Sequence, residues 1–313
     1  ISPDLTTNDT TKQHQDVSGG LTIDATNAEN HTTILCISPS PLNKENIWVG
    51  TDDGNVQLTL DGGSSWSNMS TRIAGMPNGG YIPQIILSNK KEGEAFVVVN
   101  NYRKNDYQPY IFHTNDGGQS WKKIINGIDA STFVLSLVQD HENENLLFAG
   151  TDHGLYVSFD KGSKWEYWDE GFPHVQVSDL KIHPRDHSLV VGTFGRSIYI
   201  LDDISPLRKL ASNPSILDEE FLILSSNDGY LMHNRPAQGI RFIGQGDFVG
   251  ANRGFSAKVY TWIKSEDEDK KYKLKVQIVD EKKDTIRTYH SEIKGLVARI
   301  NWNGRQDGVR YPS

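Results

Sequence analysis

Three copies of one octapeptide, a fourfold succession of short apolar segments and a spacing near 45 residues predict an all-β chain of four-stranded antiparallel blades, the unit of a β-propeller. The octapeptide is Ser/Thr-x-Asp-x-Gly-x-Ser/Thr-Trp. It reads TLDGGSSW at Thr59–Trp66, TNDGGQSW at Thr114–Trp121 and SFDKGSKW at Ser158–Trp165, the last departing at Lys164. Each copy follows an apolar run with strand alternation, so it reads as the turn of a hairpin. Asp61, Asp116 and Asp160 can accept bonds from backbone N–H groups two or three residues on. Gly63, Gly118 and Gly162 take positive φ, and Trp66, Trp121 and Trp165 re-enter the sheet and cover it.

Each unit opens with an apolar segment: TTILCIS at Thr32–Ser38, IPQIILS at Ile82–Ser88, FVLSLVQ at Phe133–Gln139 and VSDLKIHP at Val177–Pro184. A polar turn leads to a second: NIWVGTDDG at Asn46–Gly54, AFVVVNN at Ala95–Asn101, LLFAGTDHG at Leu147–Gly154 and LVVGTFGR at Leu189–Arg196. NVQLTL, YIFHT, LYVSF and SIYIL supply the third strand, and a fourth begins at each tryptophan. The tryptophans stand 55 and 44 residues apart, the longer interval holding an insertion from Tyr102 to Pro109. Residues 1–203 thus make about four blades, the fourth ending at Asp202-Asp203 without an octapeptide. Ile1-Ser2 match positions three and four after a repeat tryptophan, which predicts an internal fragment of a larger propeller.

The 313 residues, with 7 Trp, 12 Tyr and 28 Gly, are enough for two or three domains and describe a globular, turn-rich protein. A net charge of −8 argues against nucleic acid as a partner, because phosphate binding requires a basic surface. No apolar run approaches the length of a transmembrane segment. The single cysteine, Cys36, lies in an apolar run and reads as a core strand residue. The ten histidines show no metal-ligand spacing; His183-Pro-Arg-Asp-His187 reads as a turn, and neither a metal nor another cofactor is expected.

The octapeptides resemble the Asp-box, or bacterial neuraminidase repeat, family of β-propellers. IWVGTDDGNVQLTLDGGSSW, LKIHPRDHSLVVGTFGRSIYILDD and SPL resemble exported bacterial proteins often labelled "glycosyl hydrolase" or "sortilin-like". Past Asp203 the register breaks. Residues 204–240, with Pro206, Pro214 and Pro236, read as a linker packed along the propeller. FSAKVYTWIK at Phe255–Lys264 and YKLKVQIVD at Tyr272–Asp280 read as strands around an acidic turn, Ser265–Asp269, for which calcium is an alternative to solvent. From KVQIVDEKKDTIRTY to GLVARINWNGRQDGVRYP, with Trp302-Asn303-Gly304 and Gly308, residues 241–313 resemble the immunoglobulin-like β-sandwich of flagellar hook-capping proteins, here truncated.

The resemblance implies structural Asp boxes on the face away from a ligand. Successive strands run antiparallel, so the opposite face carries the second-to-third turns and the connections between blades. Candidate ligand residues there are Asn30, His31, Tyr81, Tyr102, Arg103, Tyr107, His153, Phe194 and Arg196. Asp52, Asp53 and Asp152 share that face and are the candidate carboxylates should the chain hydrolyse a glycan. The sialidase arginine of an Arg-Ile-Pro phrase is replaced by Tyr81 in Tyr81-Ile82-Pro83. The leading expectation is a non-catalytic binding or scaffold propeller, exported to the periplasm, outer membrane or cell exterior, that engages a protein, peptide or glycan. The alternatives are a polysaccharide-degrading glycoside hydrolase and a subunit of a membrane-associated assembly. Asn8, Asn30 and Asn68 begin Asn-x-Ser/Thr, relevant in a eukaryotic secretory setting.

Overall fold

A computed structural model describes residues 2–12, 31–229, 254, 256–264, 270–294 and 297–305. The chain forms two compact units, Ile1–Ser212 and Asn213–Ser313. In the first, strand alternation and hairpin turns produce separate antiparallel sheets in chain order. Blade 1 is β1 (Ile34–Pro39), β2 (Ile47–Thr51), β3 (Val56–Thr59) and β4 (Ser67–Asn68); blade 2 is β5 (Tyr81–Leu87), β6 (Ala95–Asn101), β7 (Asp106–Thr114) and β8 (Lys122–Lys123). Blade 3 is β9 (Val134–Gln139), β10 (Leu147–Thr151), β11 (Gly154–Ser158) and β12 (Glu166–Trp168). Blade 4 has β13 (Val177–Ile182), β14 (Leu189–Thr193) and β15 (Ile198–Leu201), with no fourth strand among the described residues. This is β-propeller architecture: four successive meanders, none closing into a barrel.

The first strands of all four blades line a central cavity of ≈ 350 Å³ that reaches from Ile37 and Ser38 through Gln84 and Leu137 to Leu180. In every blade the pairing of first and second strands slips once near the start of the first strand, between Ile34 and Cys36, Tyr81 and Gln84, Val134 and Ser136, and Val177 and Asp179. Such a bulge bends the first strand where the chain enters each blade.

Apolar cores lie between blades. Trp48, Val56 and Leu58 of blade 1 meet Val97, Val99 and Phe112 of blade 2; Phe96, Val98 and Ile111 meet Leu137, Ala149 and Tyr156; Phe148, Leu155 and Val157 meet Leu180, Leu189 and Val191. The glycines of the second strands permit this approach. A Cβ on Gly50 would stand 2.6 Å from Ile82 Cγ2, and one on Gly150 2.5 Å from Val177 Cγ1, both on the next blade. Cys36 lies in the same layer, where burial pushes its thiol up to about 11.

The three octapeptides fold alike. Thr59 Oγ1 donates to Asp61 Oδ1 (2.8 Å) and accepts from Gly63 N (2.9 Å), while Ser65 donates to Asp61 through both N (2.8 Å) and Oγ (2.6 Å). Asp116 repeats this set with Thr114 and Ser120, and Asp160 with Ser158 and the Lys164 N–H. Lys164 cannot supply the hydroxyl bond; its Nζ pairs with Glu166 instead. The hydroxyl and N–H groups of Ser65 and Ser120 hold Asp61 and Asp116 down at about 2. The three tryptophans are not buried alike. Trp165 is 2 % exposed between blades 2 and 3, whereas Trp66 and Trp121 are half-buried, each capping its own turn through Nε1 to Gly63 O and Gly118 O.

Of the stretch 204–240, read as a linker, the described residues 204–229 hold a helix and a strand. Helix α1 (Ser205–Ser212) packs on blade 3, where Arg208, 7 % exposed, forks onto fully buried Asp140 (2.8 and 2.7 Å). Phe221–Asn227 forms β16 of the second unit, pairing with β17 (Ala257–Ile263). The second unit further comprises a hairpin of β18 (Lys271–Val279) and β19 (Thr285–Lys294), and β20 (Val297–Trp302) beside β17. The acidic turn Ser265–Asp269 and Gly308 lie outside the described residues. No helix among the described residues is long and apolar enough to cross a membrane.

Candidate functional site: the second-to-third turn face

The insertion in blade 2 is not a loose loop. A short 3-10 turn, Tyr102–Lys104, ends at Asn105 in the left-handed region (φ 61°), and β7 then starts at once, Asp106 pairing with Asn101. This brings Arg103 back over Tyr81 at the start of blade 2, and Tyr102 and Tyr107 towards Phe133 at the entry to blade 3. The Arg103 guanidinium lies 4.0 Å from the Tyr81 ring centroid and 4.6 Å from that of Tyr102. Tyr102 stacks on Phe133 (4.4 Å, 22°), and Tyr107, 46 % exposed, tilts against the same ring at 6.2 Å. The structure therefore joins Tyr81, Arg103, Tyr102 and Tyr107 in one row and adds Phe133, which sequence reading did not single out.

Lys104 Nζ donates to Asn78 O and Gly79 O, each at 2.8 Å. Burial against that connection, and then the Lys12 charge, push its pKa down. Asp106 accepts from Asn101 Nδ2 (3.0 Å), Tyr110 Oη (2.9 Å) and Gln108 N (3.2 Å). Burial raises its pKa, but these bonds together with Lys123 outweigh it and hold the carboxyl below the ordinary range.

The candidate carboxylates are engaged in holding the backbone. Asp52 Oδ1 accepts from Thr33 N (2.7 Å) while Asp52 N donates to Thr33 O (3.0 Å); Asp152 and Phe133 repeat this pair at 3.1 and 3.2 Å. In blade 4, Phe194 stands at the corresponding place, and only its N–H bond, to Gln176 O, remains. Asp53, 6 % exposed, accepts from Thr7 N (2.6 Å) and Thr51 Oγ1 (2.5 Å). Asp152 also takes Thr132 Oγ1 (2.5 Å) and lies 2.8 Å from His153 Nδ1.

His153 is exposed beside a second group, in which Tyr167 Oη donates to His153 O (3.0 Å) and stands 2.7 Å from His174 Nδ1. His31 stays near Asp52 Oδ2 at 3.6 Å. Phe194, 73 % exposed, and Arg196 project from the blade 4 turn and join neither group; Asn30 lies outside the described residues. On the other face, His141, Glu142 and His187 bring possible metal-ligand atoms within 4.8 Å of one another. The Arg208 guanidinium occupies that cluster, 2.7 Å from His187 Nδ1 and 3.0 Å from Glu142 Oε1, and its charge opposes a second cation there.

No family model matches the chain. It is 26 % identical over 161 residues to a probable oligoxyloglucan-reducing end-specific xyloglucanase of Neosartorya fischeri, covering 46 % of this chain and 18 % of that protein. It is 27 % identical over 190 residues to the oligoxyloglucan-reducing end-specific xyloglucanase of Emericella nidulans, covering 53 % and 22 %. The chain thus spans about a fifth of the length of the curated relatives it matches. Among solved structures it is similar to an ancestral GH74 enzyme, with a TM-score of 0.46 at 16 % identity over 83 % of this chain and 33 % of that one. It is also similar to the GH74 xyloglucanase from Xanthomonas campestris, with a TM-score of 0.43 at 16 % identity over 55 % and 28 %.

Proposed function

We propose that the chain is the glycan-binding β-propeller part of an exported protein, and that its ligand lies across the second-to-third turns of blades 2 and 3. The observation that carries this reading is the row from Tyr81 through Arg103 and Tyr102 to Phe133 and Tyr107, contributed by three separate segments. A pyranose ring presents C–H groups on its faces, which pack on an exposed aromatic ring, while its hydroxyls accept from fixed donors. The two similar proteins named as xyloglucanases support a glycan over a peptide. Titration calorimetry with a xyloglucan heptasaccharide and with acidic oligosaccharides tests the reading. Binding that is lost in Tyr107→Ala and kept in Asp61→Ala supports it; binding to peptides alone would refute it.

The second reading is a glycoside hydrolase, favoured by the names of the same two relatives. It requires two carboxyl groups available to the glycosidic bond. Asp52, Asp53 and Asp152 each already accept backbone N–H bonds, which supports the non-catalytic reading. Xyloglucan hydrolysis by this chain that is abolished in Asp52→Asn or Asp152→Asn would reverse the order.

A further inference from the structure

We propose that the Arg103–Lys104 corner of the aromatic row is a carboxylate-binding subsite, so that the glycan taken here is acidic, with uronate residues. The inference rests on the glycan-binding reading of the same face and narrows its ligand. The chain carries a net charge of −8, yet these two neighbouring cations have no carboxylate partner among the described residues. Their positions are fixed by other means. Two tyrosine rings lie against the Arg103 guanidinium, and none of its N–H groups donates to an acceptor among the described residues. Those donors, without an acceptor among the described residues, remain for a bidentate anion. Lys104 is held by two carbonyls of the Asn78–Gly79 connection, which leaves its third N–H without one of these acceptors.

Among the described residues, the acidic groups near this corner have partners of their own, Asp9 with Lys12. Asp53 accepts from Thr7 N and Thr51 Oγ1, Asp52 from Thr33 N, and Asp106 from Asn101, Tyr110 and Gln108. A ring carboxylate meeting Arg103 would replace solvent with charge-assisted bonds while the adjoining sugar packs on Tyr107.

The test is calorimetric titration with tetragalacturonate and with cellotetraose, a neutral saccharide of the same ring count, at low and high ionic strength. Tetragalacturonate should bind, more weakly in high salt, and Arg103→Ala should lower its affinity at least about tenfold, the scale of a hydrogen bond to a charged group. Arg103→Lys, which keeps charge but loses the fork, should fall between. Tyr107→Ala should weaken whatever saccharide binds. Equal loss of both saccharides in Arg103→Ala, or cellotetraose bound and tetragalacturonate not, overturns the subsite and leaves the glycan reading standing. If neither saccharide binds, and a peptide C-terminal carboxylate binds through Arg103, both fall. Thermal melting of Arg103→Ala at the wild-type temperature confirms that the exposed substitution leaves the fold intact.

Discussion

Arg208→Ala tests the buried ion pair between helix α1 and blade 3. Asp140 is fully buried, and Arg208 donates to both of its oxygens, through Nε at 2.8 Å and Nη2 at 2.7 Å. Without the guanidinium the carboxylate keeps the Asn143 N–H at 2.9 Å and loses its buried cation. Breaking a buried pair from one side costs about 3–5 kcal/mol, because a desolvated charge is left unmatched. For a unit of this size about 2–4 °C accompanies each kcal/mol, so the transition should fall by roughly 6–20 °C. Differential scanning calorimetry reads the shift, and a cycle with Asp140→Ala and the double variant separates coupling from packing. The double variant should recover part of the loss, because no buried charge then remains. A change below about 1 kcal/mol in Arg208→Ala, the scale of a screened surface pair, would refute the reasoning, as would strict additivity in the cycle.

Trp165→Ala should cost about 3–5 kcal/mol in denaturant unfolding, and Trp66→Ala distinctly less, because Trp165 is enclosed between blades and Trp66 is half-buried. Equal losses would contradict the interblade placement. Gly127→Ala should unfold the chain at a lower temperature than any neighbouring turn substitution, since its φ is +96° and a Cβ would stand 2.2 Å from Trp165 O. Asp61 and Asp116 are held at about 2, below their ordinary 3.8. Their stabilisation is therefore complete above the unfolded value and is lost as pH falls from about 4 towards 2. Asp116→Asn should flatten that acid limb in a melting-temperature profile, and an unchanged slope would show the turn to be indifferent to its charge.

Blade register was legible because the octapeptide needs particular residues at fixed places: a hydroxyl and an Asp to tie the N–H groups, and a glycine at positive φ. What escaped notice is the apolar residue seven places after each tryptophan. Ile73, Ile128 and Phe172 are all buried and plug the space between blades, but in sequence they lie in polar connections without strand alternation. Leu5 takes a similar place against blade 1, buried with its carbonyl accepting from Asn55 Nδ2 and Gln57 Nε2. At the candidate site, the aromatic and cationic content of the insertion was visible, whereas its assembly depended on Phe133, distant in sequence and unremarkable there. Asp52 and Asp152 looked like spare carboxylates in turns. Their partners, Thr33 N and Phe133 N, are backbone groups nineteen residues away, which no residue pattern discloses. Helix α1 escaped for a similar reason: its eight residues are too few to show periodicity, and its burial is set by Asp140 on another blade.

The face assignment is tested most directly by amide hydrogen exchange of the whole chain with and without tetragalacturonate. Protection should concentrate at Asn78–Tyr81, Asn101–Gln108 and Thr132–Phe133, the three segments that build the aromatic row. Protection at Thr59–Trp66, Thr114–Trp121 and Ser158–Trp165, with the aromatic row unchanged, would place the ligand on the opposite face and contradict the account.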